Sequence, residues 1–334
     1  MRAVFLRAVR VCAIVLAAVA LAACAQKNTV ADVGIGTAAY RPKPAKPYAV
    51  LYKPYAEMAT VAYTNQDYLD AAACPDAAKL RASGEPDNAT YARMLGDLTR
   101  AGWACHFGHV GPYGCKAGTP RCLDGLEYHV WRRGRCGEAV IAFRGTDANE
   151  IGDWLTNFRW FIASPLFDQY DQVQKAVPDI IGKLNEGCRA RLIVATGHSL
   201  GGGLAQHAAY ADSRIDYVYA FDPSPVTAFF GVPLPQRSAA TEHLGIDRVY
   251  EAGEILSLPR YVVSGVFPSS QCRPRVRIVR FAVVTTPSLI ERHRIAGLTD
   301  GLTWLTTQPG PAKRPLGFAH ARTCDFVQPD KYGD

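Results

Sequence analysis

No long run of like charge interrupts the 334-residue chain, and no repeat period can be traced through it. That sets aside collagen, coiled coils and solenoid arrays. Charged residues make up only 20% of the sequence, a little under the usual share. Three positive charges, Arg2, Arg7 and Arg10, sit at the very start, and without them 34 Lys and Arg face 30 Asp and Glu, a formal +4. One short basic group, Arg273, Arg275, Arg277 and Arg280, falls mostly on alternate positions, which is the pattern of a strand face and not of a nucleic-acid footprint. No nucleic-acid partner is expected. An apolar run long enough to span a bilayer is also missing: residues 11–23 are apolar but too short for a stable transmembrane helix.

What the N-terminus does have is a basic head, that apolar run, and then Leu21-Ala22-Ala23-Cys24. Residues 1–23 therefore read as a signal peptide and lie outside the fold. The tetrapeptide resembles the lipobox of bacterial lipoproteins, which implies cleavage before Cys24, lipid on its thiol and new amine, and a membrane anchor. An ordinary secreted protein cut near Ala23 or Ala25 is the alternative. Ala25 and Gln26 follow the cysteine with no aspartate, which points to the outer membrane in a Gram-negative source. Of ten cysteines, Cys12 lies in the signal and Cys24 at the anchor. The other eight are Cys74, Cys105, Cys115, Cys122, Cys136, Cys188, Cys272 and Cys324. An even number in an exported chain points to disulfides, whose pairing the sequence does not give. His106 and His109 flank Cys105 in a zinc-like way, but the spacing matches no standard finger or ribbon, so no metal is expected.

The 49% hydrophobic content supports one sizeable domain. Residues 24–54, with Pro42, Pro44, Pro47 and Pro54, read as an extended tether. The domain then occupies 55–334. Its expected features are a short amphipathic helix over 55–63, a helix over 89–101, and a cysteine-rich insertion at about 102–137 that is stapled because it has little core of its own. Tyr128, Val130 and Trp131 lead through Arg133-Gly134-Arg135 into the apolar run 139–143, which predicts a hairpin. A helical pattern covers 168–186, with Pro178 as a kink, and further strands are expected at 192–195, 217–221, 248–251 and 276–284. A small-residue helix is expected over 200–211. Strand and helix alternate, which is the order of an α/β fold with a doubly wound, mostly parallel sheet.

Gly197-His198-Ser199-Leu200-Gly201 matches G-x-S-x-G between a buried strand and a helix. A nucleophile elbow needs that setting, because the turn is so sharp that only glycine fits two residues either side of the serine. The stretch 197–205 (GHSLGGGLA) resembles the elbow of the class 3 (fungal-type) lipases of the α/β-hydrolase superfamily. Residues 139–146 (AVIAFRGT) resemble that family's strand and oxyanion loop, 153–157 (DWLTN) the segment after it, and 55–63 more loosely its N-terminal helix. The likeness runs over 126–300. It implies an oxyanion hole from the backbone N–H groups of Thr146 and Leu200. It also implies an acid at Glu254, in Gly253-Glu254-Ile255-Leu256-Ser257-Leu258-Pro259, where the family has Asp. Asp222 and Glu251, at the ends of neighbouring strands, are the rival acids. The base must come last in the chain. His293 and His320 both qualify, and His293 has the family's setting, after a strand and before a helix. His198 reads as packing, and His207 and His243 have no evident partner. The resemblance implies a carboxylic ester hydrolase acting on lipids through an acyl-enzyme on Ser199, with no cofactor. A non-lipid esterase, thioesterase or peptidase on the same fold, and a non-catalytic surface lipoprotein, stay open. Phe158, Trp160 and Phe161 are candidate lid residues.

Overall fold

The computed structural model describes residues 29–33, 41–115, 125–146, 167–257, 260 and 274–310. The signal segment, Cys24, residues 153–162, Cys122, Cys272, Arg273, His320 and Cys324 lie outside them. Among the described residues the apolar runs become the strands of one sheet: β1 (Thr29–Val33), β2 (Arg41–Pro44), β3 (Trp103–Gly111), β4 (Leu126–Arg133), β5 (Glu138–Phe143), β6 (Leu192–His198), β7 (Tyr217–Phe221), β8 (Gly245–Glu251) and β9 (Arg275–Phe281). Their spatial order is β2-β1-β9-β8-β7-β6-β5-β4-β3. The five strands β5 to β9 are mutually parallel. The β4–β5 hairpin is antiparallel, with Arg133 opposite Glu138 as its last pair before the turn. The result is a mostly parallel α/β sheet.

The helices are α1 (Ala45–Val61), α2 (Ala77–Ala82), α3 (Pro86–Arg100), α4 (Phe167–Leu184), α5 (Leu200–Ala211), α6 (Leu234–Thr241), α7 (Leu289–His293) and α8 (Ile295–Thr307). Because β5 to β9 stand side by side in chain order, right-handed crossovers put their connecting helices on one face. There α4 and α5 pack on Ile141, Phe143, Ala195, Val218 and Ile246. The opposite face is covered by α1, α3 and α8, drawn from the two ends of the chain, over Val140, Val194, Tyr219, Phe221 and Val279. The period-two alternation of each strand feeds both cores.

Three expectations are corrected. The extended tether does not reach residue 54, because α1 already starts at Ala45. Pro47 sits in its first turn, where the missing N–H would have had no partner. Pro54 lies inside the helix, and burial of Tyr48, Tyr52, Tyr55 and Met58 holds the helix through it. The span 102–137 is no core-poor insertion, because β3 and β4 are full members of the sheet. A register shift between Cys105 and Phe107 turns Trp103 toward one core and Phe107 toward the other, which hid the strand's alternation. The last parallel strand stops at Phe281, short of residue 284. Within it Arg275 and Arg277 share one buried face, and Arg280 is exposed. Arg277 pairs with Asp247, which also accepts from the Tyr52 hydroxyl at 2.7 Å.

Two disulfides close the edges of this frame. Cys74–Cys105 ties the loop before α2 to β3, with Cα atoms 5.8 Å apart, and Cys136–Cys188 ties the β4–β5 turn to the loop after α4, with Cα atoms 5.6 Å apart. Cys115 is also disulfide-bonded. With Cys105 so engaged, the zinc-like trio loses its sulfur ligand. Such bonds belong to an extracellular or periplasmic compartment. No helix among the described residues is long and apolar enough to cross a membrane.

Candidate active site

The elbow forms where β6 ends and α5 begins. Ser199 is the cap between them, with φ +55° and ψ −124°. That left-handed conformation is costly for a residue with a side chain, and such strain gathers at functional turns. Its two flanking glycines are required by space: a Cβ on Gly197 would lie 2.3 Å from the Gly201 carbonyl oxygen, and one on Gly201 would lie 2.4 Å from that of Phe143. The turn is held from the next strand as well. The Ser199 N–H donates to Phe221 O at 3.0 Å, and the Ser199 carbonyl accepts from Ser224 N–H at 2.8 Å. Leu200 opens α5, where N–H groups have no carbonyl behind them and the helix dipole is positive. The loop after β5 abuts this point. A Cβ on Gly145 would be 2.4 Å from His198 O and 3.1 Å from Gly201 N, so Thr146 follows directly beside the elbow. Arg144 anchors that loop to Glu127 at 2.5 Å.

His293 is the last residue of α7 and is fully buried. Its Nδ1–H donates to Glu254 Oε2 at 2.6 Å. Its Nε2 is buried with no hydrogen-bond partner. Glu254 is itself fixed: Oε2 also accepts from Leu256 N–H at 2.8 Å, and Oε1 accepts from the Ser257 hydroxyl at 3.0 Å and from Arg260. Burial pushes the Glu254 carboxyl up, but the His293 hydrogen bond and the Arg260 charge outweigh it and hold the group below its ordinary value. Burial also pushes His293 below the ordinary imidazole value, against the pull of Glu254. An imidazole so placed is neutral near pH 7 and able to accept a proton at Nε2.

A model of one family matches this region. Residues 124–223 match a family described as phospholipase-like, the Tle-like phospholipase domain. The match takes in the hairpin, the loop through Thr146, the turn at Ser199 and Asp222, and ends before Glu254 and His293. No curated protein matches the chain. Among solved structures, the Lip2 lipase of Yarrowia lipolytica is 15% identical, with 63% of this chain and 73% of that one covered and a TM-score of 0.37. Lipase II from Rhizopus niveus is 14% identical, covers 69% of this chain and 78% of that one, and has a TM-score of 0.40. M37 lipase is 16% identical, covering 81% and 84%, with a TM-score of 0.32.

The other candidates divide clearly. Glu254, not Asp222 or Glu251, meets the imidazole. Asp222 follows β7 and is fully buried, with φ +39°. Glu251 accepts from the Val283 and Val284 backbone N–H groups, and burial raises it to about 7. His207 and His243 hydrogen-bond to the carbonyls of Thr227 and Ser213. His198 does more than fill space. Its Nδ1 accepts from the Tyr63 hydroxyl at 2.8 Å, its Nε2–H donates to the His293 carbonyl at 2.6 Å, and the centroids of the two imidazole rings lie 4.6 Å apart with their planes tilted by 45°. The carbonyl can only accept, which fixes this tautomer. Burial first, then the neighbouring His293, depresses His198 well below the ordinary value and keeps it neutral. Tyr63 and Arg260 were not singled out from the sequence. The G-x-S-x-G pattern leaves the second residue free, and nothing in it signals a partner for His198.

Proposed function

We propose that this chain hydrolyses carboxylic esters of lipids, in the manner of a lipase or phospholipase, through an acyl-enzyme on Ser199. The observation that carries this reading is an imidazole oriented by a carboxylate, with its second nitrogen unpaired, packed against the residue that precedes a strained serine. The phospholipase-like match over 124–223 supports lipid as the acyl donor. Neutral His293 takes the Ser199 proton at Nε2 as Oγ attacks the ester carbonyl. Glu254 stabilises the imidazolium. The N–H groups of Thr146 and Leu200 receive the developing oxyanion, a task where one donor is worth about a hundredfold in rate. The imidazolium then protonates the leaving alcohol, and water, deprotonated by His293, releases the acid and restores Ser199. No step needs a metal. Ser199 is 4% exposed, so the ester carbonyl has to be admitted to a covered hydroxyl. Cys24 is the proposed lipid anchor, with the domain held on an exported face of the outer membrane.

A fluorophosphonate probe tests the nucleophile. The wild-type protein becomes labelled and cleaves p-nitrophenyl butyrate and phospholipid vesicles, and Ser199→Ala does neither. Labelling that survives Ser199→Ala, or a wild-type protein inert to probe and esters alike, overturns the assignment. Faster turnover of thioester or peptide substrates than of lipid esters would move it to another acyl group.

A further inference from the structure

Asp222 stands level with the nucleophile on the adjacent strand, since His198 pairs with Phe221 and each strand ends there. Its backbone N–H donates to Val249 O at 2.8 Å, and its Oδ1 accepts from Glu251 N–H at 2.9 Å. Its Oδ2 is buried and has no partner. A buried carboxyl oxygen left unpaired is unfavourable, and it calls for a reason. A carboxyl oxygen of Asp222, a ring nitrogen of His198 and one of His293 lie within 4.8 Å of one another. A metal ion is a poor occupant of that space, because both nitrogens of His198 are committed to Tyr63 and to the His293 carbonyl. Of these groups His293 is the one that keeps a ring nitrogen without a partner.

We propose that Asp222 is a second positioning carboxyl for His293, held in reserve behind Glu254. This rests on the reading of His293 as the general base. Two buried carboxyls beside one imidazole do not readily both ionise. Arg260 and the imidazole favour the charge on Glu254. Burial, followed by the Glu254 charge, pushes Asp222 well above the ordinary carboxylate range, with Glu251 adding to the repulsion and Arg260 opposing it. In the intact protein these effects favour the protonated form of Asp222. When the charge at 254 is removed, that repulsion goes. Burial still opposes ionisation, but Asp222 gives up its proton more readily, and its carboxyl lies within 4.8 Å of a His293 ring nitrogen, where its charge can act on the imidazole.

A double-substitution cycle tests this. Wild type, Asp222→Asn, Glu254→Gln and the double variant are compared for kcat/KM on p-nitrophenyl butyrate. Asp222→Asn lowers kcat/KM about threefold in the wild-type background and about thirtyfold in the Glu254→Gln background, a coupling of the size seen for groups in contact. The same factor in both backgrounds, the signature of a purely structural Asp222, overturns the proposal. In parallel, the His293 imidazole is titrated by NMR with Ser199→Ala in all four forms. Asp222→Asn lowers its pKa in the Glu254→Gln form by about one unit, as loss of a nearby carboxylate does. No change there also overturns the proposal. This arm needs no turnover, so it stands apart from any failure of the hydrolase assignment. Should the double variant fail to fold, the Asp222 carboxyl is titrated by NMR in wild type and in Glu254→Gln: its pKa falls when the charge at 254 is removed, and an unchanged value overturns the proposal.

Discussion

Burial lowers the proton affinity of His293, while Glu254 raises it and Arg260 lowers it further. As the proposed base, His293 acts only when neutral, so kcat/KM is expected to fall as pH drops through this depressed value, with the acid limb below 6.5, the ordinary imidazole value. Arg260→Met removes a positive charge that disfavours the imidazolium. The limb then moves to higher pH, and a kcat/KM profile on a soluble ester reads the direction; a limb that moves down would contradict the ion-pair geometry. The candidate serine, acid and histidine were legible because the proposed reaction dictates their types and their chain order. Ser199 announced itself through glycines that the turn requires, and His293 through its place after the last strand. Glu254 was legible against Asp222 only through the resemblance. Tyr63 and Arg260 carried no such mark. Tyr63 reaches a partner 135 residues away, and Arg260 binds across a single loop turn.

Among the elements, the parallel strands β5 to β9 were readable as apolar runs because helices cover both of their faces. Helix α1 is hidden in the sequence because its prolines signal extension, although Pro47 lies in a turn that tolerates it. Strand β3 was hidden by its register shift. The element with the most to lose from one change is β8. Its Asp247 is fully buried and holds both the Arg277 guanidinium and the Tyr52 hydroxyl of α1. Asp247→Ala leaves a buried arginine without its counter-charge, and breaking such a pair costs about 3–5 kcal/mol. Urea denaturation should show that loss. A change under about 0.5 kcal/mol, the level of an ordinary surface substitution, would show that the pair is not buried as described.

At the scale of the whole molecule, the Cys136–Cys188 bond spans 52 residues and so encloses α4 and β5 between its ends. A cross-link over a loop of that length restricts the unfolded chain by about 4 kcal/mol in the chain-entropy account. The double change to serine should lower the urea midpoint accordingly, and an unchanged midpoint would mean that the bond does not form in solution. The sheet itself was foreseeable from alternating patterns. The source of its second helical layer was not, because which face a terminal helix covers depends on contacts far apart in sequence. That layer has a consequence for the life of the polypeptide. Tyr63 precedes Ser199 in the chain and His293 follows it, so a nascent chain that ends between Ser199 and His293 would carry the proposed nucleophile without the imidazole that arms it. On the proposed mechanism, reactivity begins only when α1 and α8, far apart in the chain, have packed together on one face of the sheet.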